Sequence, residues 1–430
     1  MQDILSQTGV ALAALCAMLI LANALGALAL RAWPQVLGLR DKRVLEDPLS
    51  VCERLFPDTA PCWYGLDSLE ELREFHRERR RLEAFGIEYE PLTEFRHKAV
   101  RSRFVNISEH GFRYVAGQGP WPPDPANWNI FFFGGSTAFG WSTDETSIPS
   151  RLQEFLDGRL DRPVRVYNFG RGAYFSSQEK SLFMALLVQG HRPDAAVFLD
   201  GLNDFVRYDD LTATSWMYAE AVRGHYASVH EAELHRLEGR VRWFRLWMFL
   251  RSWPMFTLAD ALAARLGGDQ GVVERYTAYE PLTPGQVESV VVRLLANHAQ
   301  IANQCVASCV TPLFVVQPHP SYLYNREHHA PAPPGRGLLG NERAGDGYPR
   351  LLEALSQSVV HRGALLDLSG VQVDRKENLY IDEVHYTAAF CSDIACYIAD
   401  SLASVGRAHR PGPCAQGDQI GEESAGRQQP

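Results

Sequence analysis

The sequence predicts an α/β fold, a five-stranded parallel sheet with helices on both faces. Two observations carry this. From residue 129 onward, short apolar runs alternate with stretches of helical length, the pattern of strands joined by right-handed crossover helices. The first run, Asn129-Ile130-Phe131-Phe132-Phe133, has no polar face, as expected of a strand buried on both sides. The other strands are expected at Arg165–Phe169, Ala195–Asp200, Pro312–Gln317 and Ala364–Leu368. Helices are expected at 144–157, 176–189, 285–307, 348–360 and 386–404. Thr283-Pro284 supplies an N-cap and a first-turn proline for the third of these helices.

The chain has 430 residues, 46% of them apolar, enough for a large core and unlike a disordered chain. Its net charge of -9 argues against nucleic acid as the main partner. There is no repeat of solenoid period. Of eight cysteines, Cys52 and Cys62 bracket a short loop and form a candidate disulfide. Cys305/Cys309 and Cys391/Cys396 have helical spacing and suit small buried side chains; neither pair has zinc-site spacing. No metal or organic cofactor is implied.

Ahead of the sheet, residues 8–30 carry no charge and are long enough to cross a bilayer, so residues 1–31 are expected to form a transmembrane anchor. A cleaved signal peptide is the alternative, and Ala27-Leu28-Ala29 would suit its cleavage site. Arg31, Arg40, Lys42 and Arg43 follow the run, and the positive-inside rule would place the main domain in the cytoplasm. The loop cysteines lean the other way. Residues 32–128 form a lead-in expected to pack on the core, with a charged helix at Leu66–Phe85 and a hairpin-like element at Asn106–Arg113. Residues 206–282 interrupt the alternation with an aromatic and basic run, Val241–Trp253, which suits a cap over the site or a membrane interface. Residues 322–347, rich in Pro, Gly and His, read as a mobile loop, and 405–430 as a disordered tail.

Four loops carry the candidate chemistry. Gly134-Gly135-Ser136 turns sharply at the carboxyl end of the first strand, where open α/β sheets bind ligands. The same residues also suit a plain turn, because a serine hydroxyl is a poor nucleophile until a base takes its proton. Asn168-Phe169-Gly170-Arg171-Gly172-Ala173, after the second strand, can aim backbone amides at an oxyanion. Asp200-Gly201-Leu202-Asn203-Asp204, after the third, offers the Asn203 amide as another donor, with Asp204 holding the loop. Asp382-Glu383-Val384-His385 precedes the last helix; there the carboxylate can hold one ring nitrogen while the other faces the serine.

In this order and context the four loops resemble the SGNH (GDSL-like) hydrolases over residues 129–404. The resemblance implies a three-layer, flavodoxin-like domain. It also implies Ser136 as nucleophile, His385 as general base and then acid, and Asp382 as its orienter. The oxyanion donors would be the Ser136 amide, the amide of Gly172 or Ala173, and the Asn203 side chain. Two departures stand out: Gly135 occupies a position where the family usually has Asp, and the usual second-loop glycine falls on Ala173. Ser, Asp, His order also occurs in α/β-hydrolases, but Gly-x-Ser-x-Gly is absent and the serine follows the first strand. The implied activity is that of a serine esterase acting through an acyl-enzyme on a small-molecule or glycan ester, an O-acylated carbohydrate being the preferred class. An O-acyltransferase acting on cell-surface polysaccharide and an idle glycan-binding module are the alternatives. Relatives of this kind also imply a single-pass, extracytoplasmic placement. His319 is a candidate substrate contact or an ordinary loop histidine.

Overall fold

The computed structural model describes residues 14, 17–29, 48–209, 253–256, 258 and 279–408. Most of the aromatic and basic insert and the tail beyond residue 408 lie outside the described residues. Of the expected anchor, residues 14 and 17–29 are described and helical, and no helix among the described residues is long and apolar enough to cross a membrane.

The lead-in comes first. It holds short helices α1 (Pro48–Leu55) and α2 (Ala60–Trp63), then the charged helix α3 (Leu69–Phe85). Ser68 caps α3 by accepting the Glu71 amide at 3.2 Å. A hairpin follows, β1 (Ile87–Glu90) paired with β2 (Glu94–His97). The hairpin expected at Asn106–Arg113 is instead a set of single bridges, Val100 to Ile107, Ile107 to Arg113 and Arg113 to Asn168. The true hairpin has a period-two signature, Ile-Glu-Tyr-Glu then Glu-Phe-Arg-His. Its turn is made by Leu92 and Glu94 at positive φ rather than by glycine, which removes the usual turn signal.

The main sheet is parallel, built from β3 (Trp128–Gly134), β4 (Val164–Asn168), β5 (Ala195–Asp200), β6 (Thr311–Val316) and β7 (Leu365–Asp367) in the order β4-β3-β5-β6-β7. Counting only these strands, the order is 2-1-3-4-5, that of the flavodoxin-like doubly wound sheet. The unbroken apolarity of β3 has a direct cause. Ile130 and Phe132 pack with Leu152, Ile394 and Ile398 on one face, while Phe131 and Phe133 pack with Phe183, Leu186 and Ile301 on the other. The first face is covered by α5 (Ile148–Leu156) and α10 (Ala388–Ala408), the second by α6 (Ser176–Val188) and α8 (Pro284–Ser308). Thr283 and Gln286 form a capping box at the start of α8.

Helix α9 (Arg343–Gln357) begins five residues before the expected 348–360 segment, because Gly345, Gly347 and Pro349 read as helix breakers. Gly347 is there for close packing: a Cβ would lie 1.9 Å from the Phe205 ring. Phe205 belongs to α7 (Leu202–Val206).

The cysteine expectations need correction. Cys52 and Cys62 are both free: Cys52 is buried on α1 with its thiol on the Ile381 carbonyl at 3.3 Å, and Cys62 is exposed. Cys305 and Cys391 are buried thiols as read, whereas Cys309, at the end of α8, is disulfide-bonded. The 322–347 segment read as a mobile loop is packed, with His329, Ala332 and Leu338 fully buried.

One lead-in side chain shapes the whole region after Ser136. Arg113 is buried and donates from Nε to Asp144 Oδ1 at 2.8 Å, from Nη1 to the Phe139 carbonyl at 2.9 Å and to the Gly140 carbonyl, and from Nη2 to the Ser142 carbonyl at 2.7 Å. These contacts hold residues 139–144 as a fixed loop. Arg113→Met leaves the buried Asp144 carboxylate without its cation and is expected to destabilise the fold by about 3–5 kcal/mol. Urea denaturation of the variant against the parent checks this; a shift under about 1 kcal/mol would refute it.

Candidate active site

The site lies where β3, β4 and β5 end side by side. The chain turns at Gly134, whose φ of +152° suits glycine, and a Cβ there would meet the Ala138 methyl at 2.6 Å and the Leu199 carbonyl oxygen at 3.0 Å. Ser136 then opens the short helix α4 (Ser136–Phe139). β4 leads into the second loop, which is tied to α4 by the buried Asn168 amide, donating to the Ala138 carbonyl at 3.1 Å and the Phe139 carbonyl at 3.2 Å. β5 leads into Gly201 and Asn203.

The structure brings Ser136, His385 and Asp382 into one relay. His385 Nε2 is 2.8 Å from Ser136 Oγ, and His385 Nδ1 is 2.7 Å from Asp382 Oδ2. The other carboxylate oxygen, Oδ1, accepts the amides of Val384 at 3.0 Å and His385 at 2.8 Å. Burial alone would raise the Asp382 carboxyl, but the adjoining His385 ring and the two amides outweigh it and hold the group at about 2. Asp382 is therefore ionised across the physiological range. A carboxylate accepting from Nδ1–H leaves Nε2 free to take the serine proton.

Asn203 stands beside the serine, and its Nδ2 donates to the Tyr174 carbonyl at 2.6 Å, which orients the side chain. Gly135 makes this possible: a Cβ there would lie 2.2 Å from Asn203 Nδ2 and 3.0 Å from the Tyr174 oxygen. The missing acidic residue noted in the sequence is thus space that the asparagine fills.

The second loop resolves which amide is available. The Gly172 N–H is taken, donating to His97 Nε2 at 3.1 Å. Ala173 has φ of +59°, a left-handed backbone that a glycine would adopt more readily, and its amide has no acceptor among the described residues. Of the two amides, that of Gly172 is committed to His97 and that of Ala173 is uncommitted among the described residues. His97 can accept only when neutral. Burial, then the nearby Arg171 and Arg113 charges, push it down to about 3.

The lead-in supplies further residues that sequence reasoning missed. Arg171 is buried against Glu90 and donates to the Phe95 carbonyl at 3.1 Å and to Tyr174 Oη at 2.8 Å. Tyr174 Oη donates in turn to the Thr93 carbonyl at 3.0 Å and to the Phe95 carbonyl. The β1–β2 hairpin therefore clamps the second loop. Trp141 packs edge-on against the His385 ring at 5.1 Å, with the Arg79 guanidinium 3.9 Å above its own ring. His329 Nε2 donates to the Asp382 carbonyl at 2.7 Å; burial holds His329 down at about 4, which keeps it neutral. None of these has a motif. His97 closes a period-two strand and Trp141 follows the serine by five residues, but neither pattern by itself points to a site.

His319 is not a substrate contact. It is fully buried, with Nδ1 on Ser321 Oγ at 2.7 Å, its carbonyl on Gln372 Nε2 at 2.7 Å, and burial pushing the ring down to about 3. Asp204 is buried behind the site, accepting from Ser176 Oγ at 2.6 Å. Glu179 lies near it with no donor to either oxygen, and burial, then Asp200 and Asp204, raise it well above the usual carboxyl range. Asp204 is itself raised to about 6 by burial and Asp200. Asp200 Oδ2 accepts from His298 Nε2 at 2.9 Å.

Two outcomes follow from this geometry. Gly135→Ala is expected to displace Asn203 and lower turnover of an activated ester by roughly a hundredfold to a thousandfold with the fold intact. Unchanged turnover would show that Asn203 does not serve the reaction. A carboxyl raised in the folded state costs stability as pH climbs above its ordinary titration, so Glu179 and Asp204 contribute a decline from about pH 5 upward, opposed below about pH 6.5 by the rise that the lowered His97, His319 and His329 contribute. Glu179→Gln should flatten that decline without abolishing it, since Asp204 still contributes; melting temperatures across the range test this, and an unchanged slope would refute it.

No family model matches this chain, and no curated protein matches it. Solved structures do. One is a G-D-S-L family protein from Desulfitobacterium hafniense DCB-2, at 11% identity and a TM-score of 0.33, covering 64% of this chain and 100% of that one. Another is the lipase/acylhydrolase from Enterococcus faecalis, at 13% identity and a TM-score of 0.34, covering 64% and 96%. A third is a gut microbial diltiazem-metabolizing enzyme, at 12% identity and a TM-score of 0.35, covering 66% of this chain and 49% of that one. Likeness at this level carries no weight for the chemistry, which rests on the residues themselves.

Proposed function

We propose that this protein is a serine esterase of the SGNH type that cleaves acyl esters through an acyl-enzyme on Ser136. The observation that carries the reading is the continuous relay from Ser136 Oγ through His385 to Asp382, with contacts of 2.8 and 2.7 Å. Ser136 Oγ attacks the ester carbonyl carbon as its proton passes to His385 Nε2. Asp382 steadies the imidazolium that results. The amides of Ser136 and Ala173 and the side chain of Asn203 receive the oxyanion. As the tetrahedral intermediate collapses, the carbon–oxygen bond to the alcohol breaks and His385 returns the proton to the departing oxygen. Water, deprotonated by His385, then frees the acid and restores Ser136.

The proposal extends to an O-acylated carbohydrate as substrate and to an anchored, extracytoplasmic protein. The support is the family resemblance in sequence and the uncharged run at 8–30. Carbonate extraction of membranes carrying the full chain tests the anchor: release into the supernatant would sink it.

The enzyme reading is tested on the full chain with p-nitrophenyl acetate and a fluorophosphonate probe. Labelling at Ser136 is expected, and Ser136→Ala should lose roughly 10⁴-fold to 10⁶-fold in kcat. Absence of labelling together with unchanged turnover in the variant would overturn it in favour of an idle binding module. Appearance of an acylated sugar acceptor in place of free acid would make the enzyme a transferase.

A further inference from the structure

His385 is bonded at both ring nitrogens, Nε2 to Ser136 Oγ at 2.8 Å and Nδ1 to Asp382 Oδ2 at 2.7 Å. Bonds at two points fix a ring along the line that joins them and leave its tilt about that line free. One of the two is also temporary. Once Ser136 Oγ carries an acyl group it has no proton to donate, and the bond to Asp382 is the one that remains. The base must then keep its place to activate water. A rigid apolar neighbour meets both needs, because it limits tilt whether or not the serine is acylated.

Trp141 stands where such a neighbour is needed. Its ring makes an angle of 82° with the His385 imidazole, with centroids 5.1 Å apart, an arrangement that aromatic pairs favour. The indole is held in turn from the lead-in. The buried Arg79 of α3 places its guanidinium 3.9 Å from the Trp141 ring centroid, and its Nη1 donates to the Trp141 carbonyl at 3.5 Å. Phe139 packs across the indole at 5.8 Å and 78°. Arg113 holds the carbonyls on either side, those of Gly140 and Ser142. Trp141 Nε1 is buried with no hydrogen-bond partner among the described residues, so the indole meets its neighbours by packing and not through its N–H.

We infer that Trp141 is a positioning residue for His385, set in place by Arg79 of the lead-in. The inference rests on the esterase reading and adds these two residues to it. Its effect falls mainly on hydrolysis of the acyl-enzyme, where His385 has lost its serine partner. In that step water adds to the acyl carbon as its proton passes to His385 Nε2. The bond from that carbon to Ser136 Oγ then breaks as the proton returns to the serine oxygen.

The test is the kinetics of p-nitrophenyl acetate on the full chain. Trp141→Ala is expected to lower kcat by about tenfold to a hundredfold, the cost of a misplaced catalytic group, with KM not raised. Release of p-nitrophenol should become biphasic, with a burst of about one equivalent per enzyme as the acyl-enzyme accumulates. Trp141→Phe keeps an aromatic ring and should recover most of the loss. If Trp141→Ala does not fold, Arg79→Met removes the cation stacked on the indole and should lower kcat in the same way, by less. Unchanged kcat in a folded Trp141→Ala would overturn the inference. So would a raised KM with kcat unchanged, which would make Trp141 a substrate contact, and so would a Trp141→Phe variant as impaired as Trp141→Ala. These outcomes leave the esterase reading standing, whereas no turnover and no fluorophosphonate labelling in the parent would remove that reading itself.

Discussion

Parallel hydrogen bonding of β3 between β4 and β5 is the constraint on which the rest depends. Phe132 sits opposite Asn168 on one side and Val197 on the other, and Gly134 opposite Leu199. That register brings three carboxyl ends to one edge at the point where strand order reverses, which is where doubly wound sheets leave a crevice. The serine, the amide loop and the asparagine are then neighbours without any contact between them in sequence. The fourth member, Asp382 to His385, reaches the same edge because the last helix returns along the face that α5 also covers.

The lead-in completes what the sheet begins. Its hydrophobic cluster joins Cys52, Tyr64, Phe75 and Ile107 to Phe139 and Ile381, residues that flank Ser136 and the Asp-His loop. Arg113 holds the first of these regions through three carbonyls, and Arg171 with Tyr174 ties the loop after β4 to the β1–β2 hairpin. A catalytic loop has to be held within a fraction of an ångström, and irregular backbone has few hydrogen bonds of its own to do this. Buried guanidinium groups, each with several fixed donors, meet that need.

Burial acts on the buried titratable groups in the direction their partners allow. Asp382, with an imidazole and two amides, stays ionised; Glu179, with no donor, is driven toward its neutral form. His97 and His329 are held neutral and so serve as a fixed acceptor and a fixed donor on the two loops of the site. The electrostatic design thus sets a charged carboxylate at the relay beside two histidines kept neutral, while the guanidinium charges of Arg113 and Arg171 hold the loops.

Much of the domain was legible in the sequence, because local patterns report on local physics. Buried parallel strands are apolar on both faces, so β3 and β5 stand out within a residue at each end, and Thr283-Pro284 marks a helix start by its own capping chemistry. Ser136 and Asn203 lie in short helices just after strands, and Asp382 and His385 lie in the loop ahead of the last helix, places that turn chemistry marks in the sequence. What the sequence could not disclose depends on distance in three dimensions. Cys52 faces Ile381 and not Cys62, His319 points into the core, and Gly347 permits a helix because Phe205 lies against it. The Gly172 amide is occupied by His97, 75 residues away along the chain, which leaves that of Ala173 uncommitted among the described residues. By itself, then, the sequence determined the sheet, most of its helices and the loops that meet at one sheet edge, since periodicity and turn chemistry are short-range. Only the tertiary structure decided how those groups are held and what space stands beside them, since that follows from packing between segments with no relation in sequence.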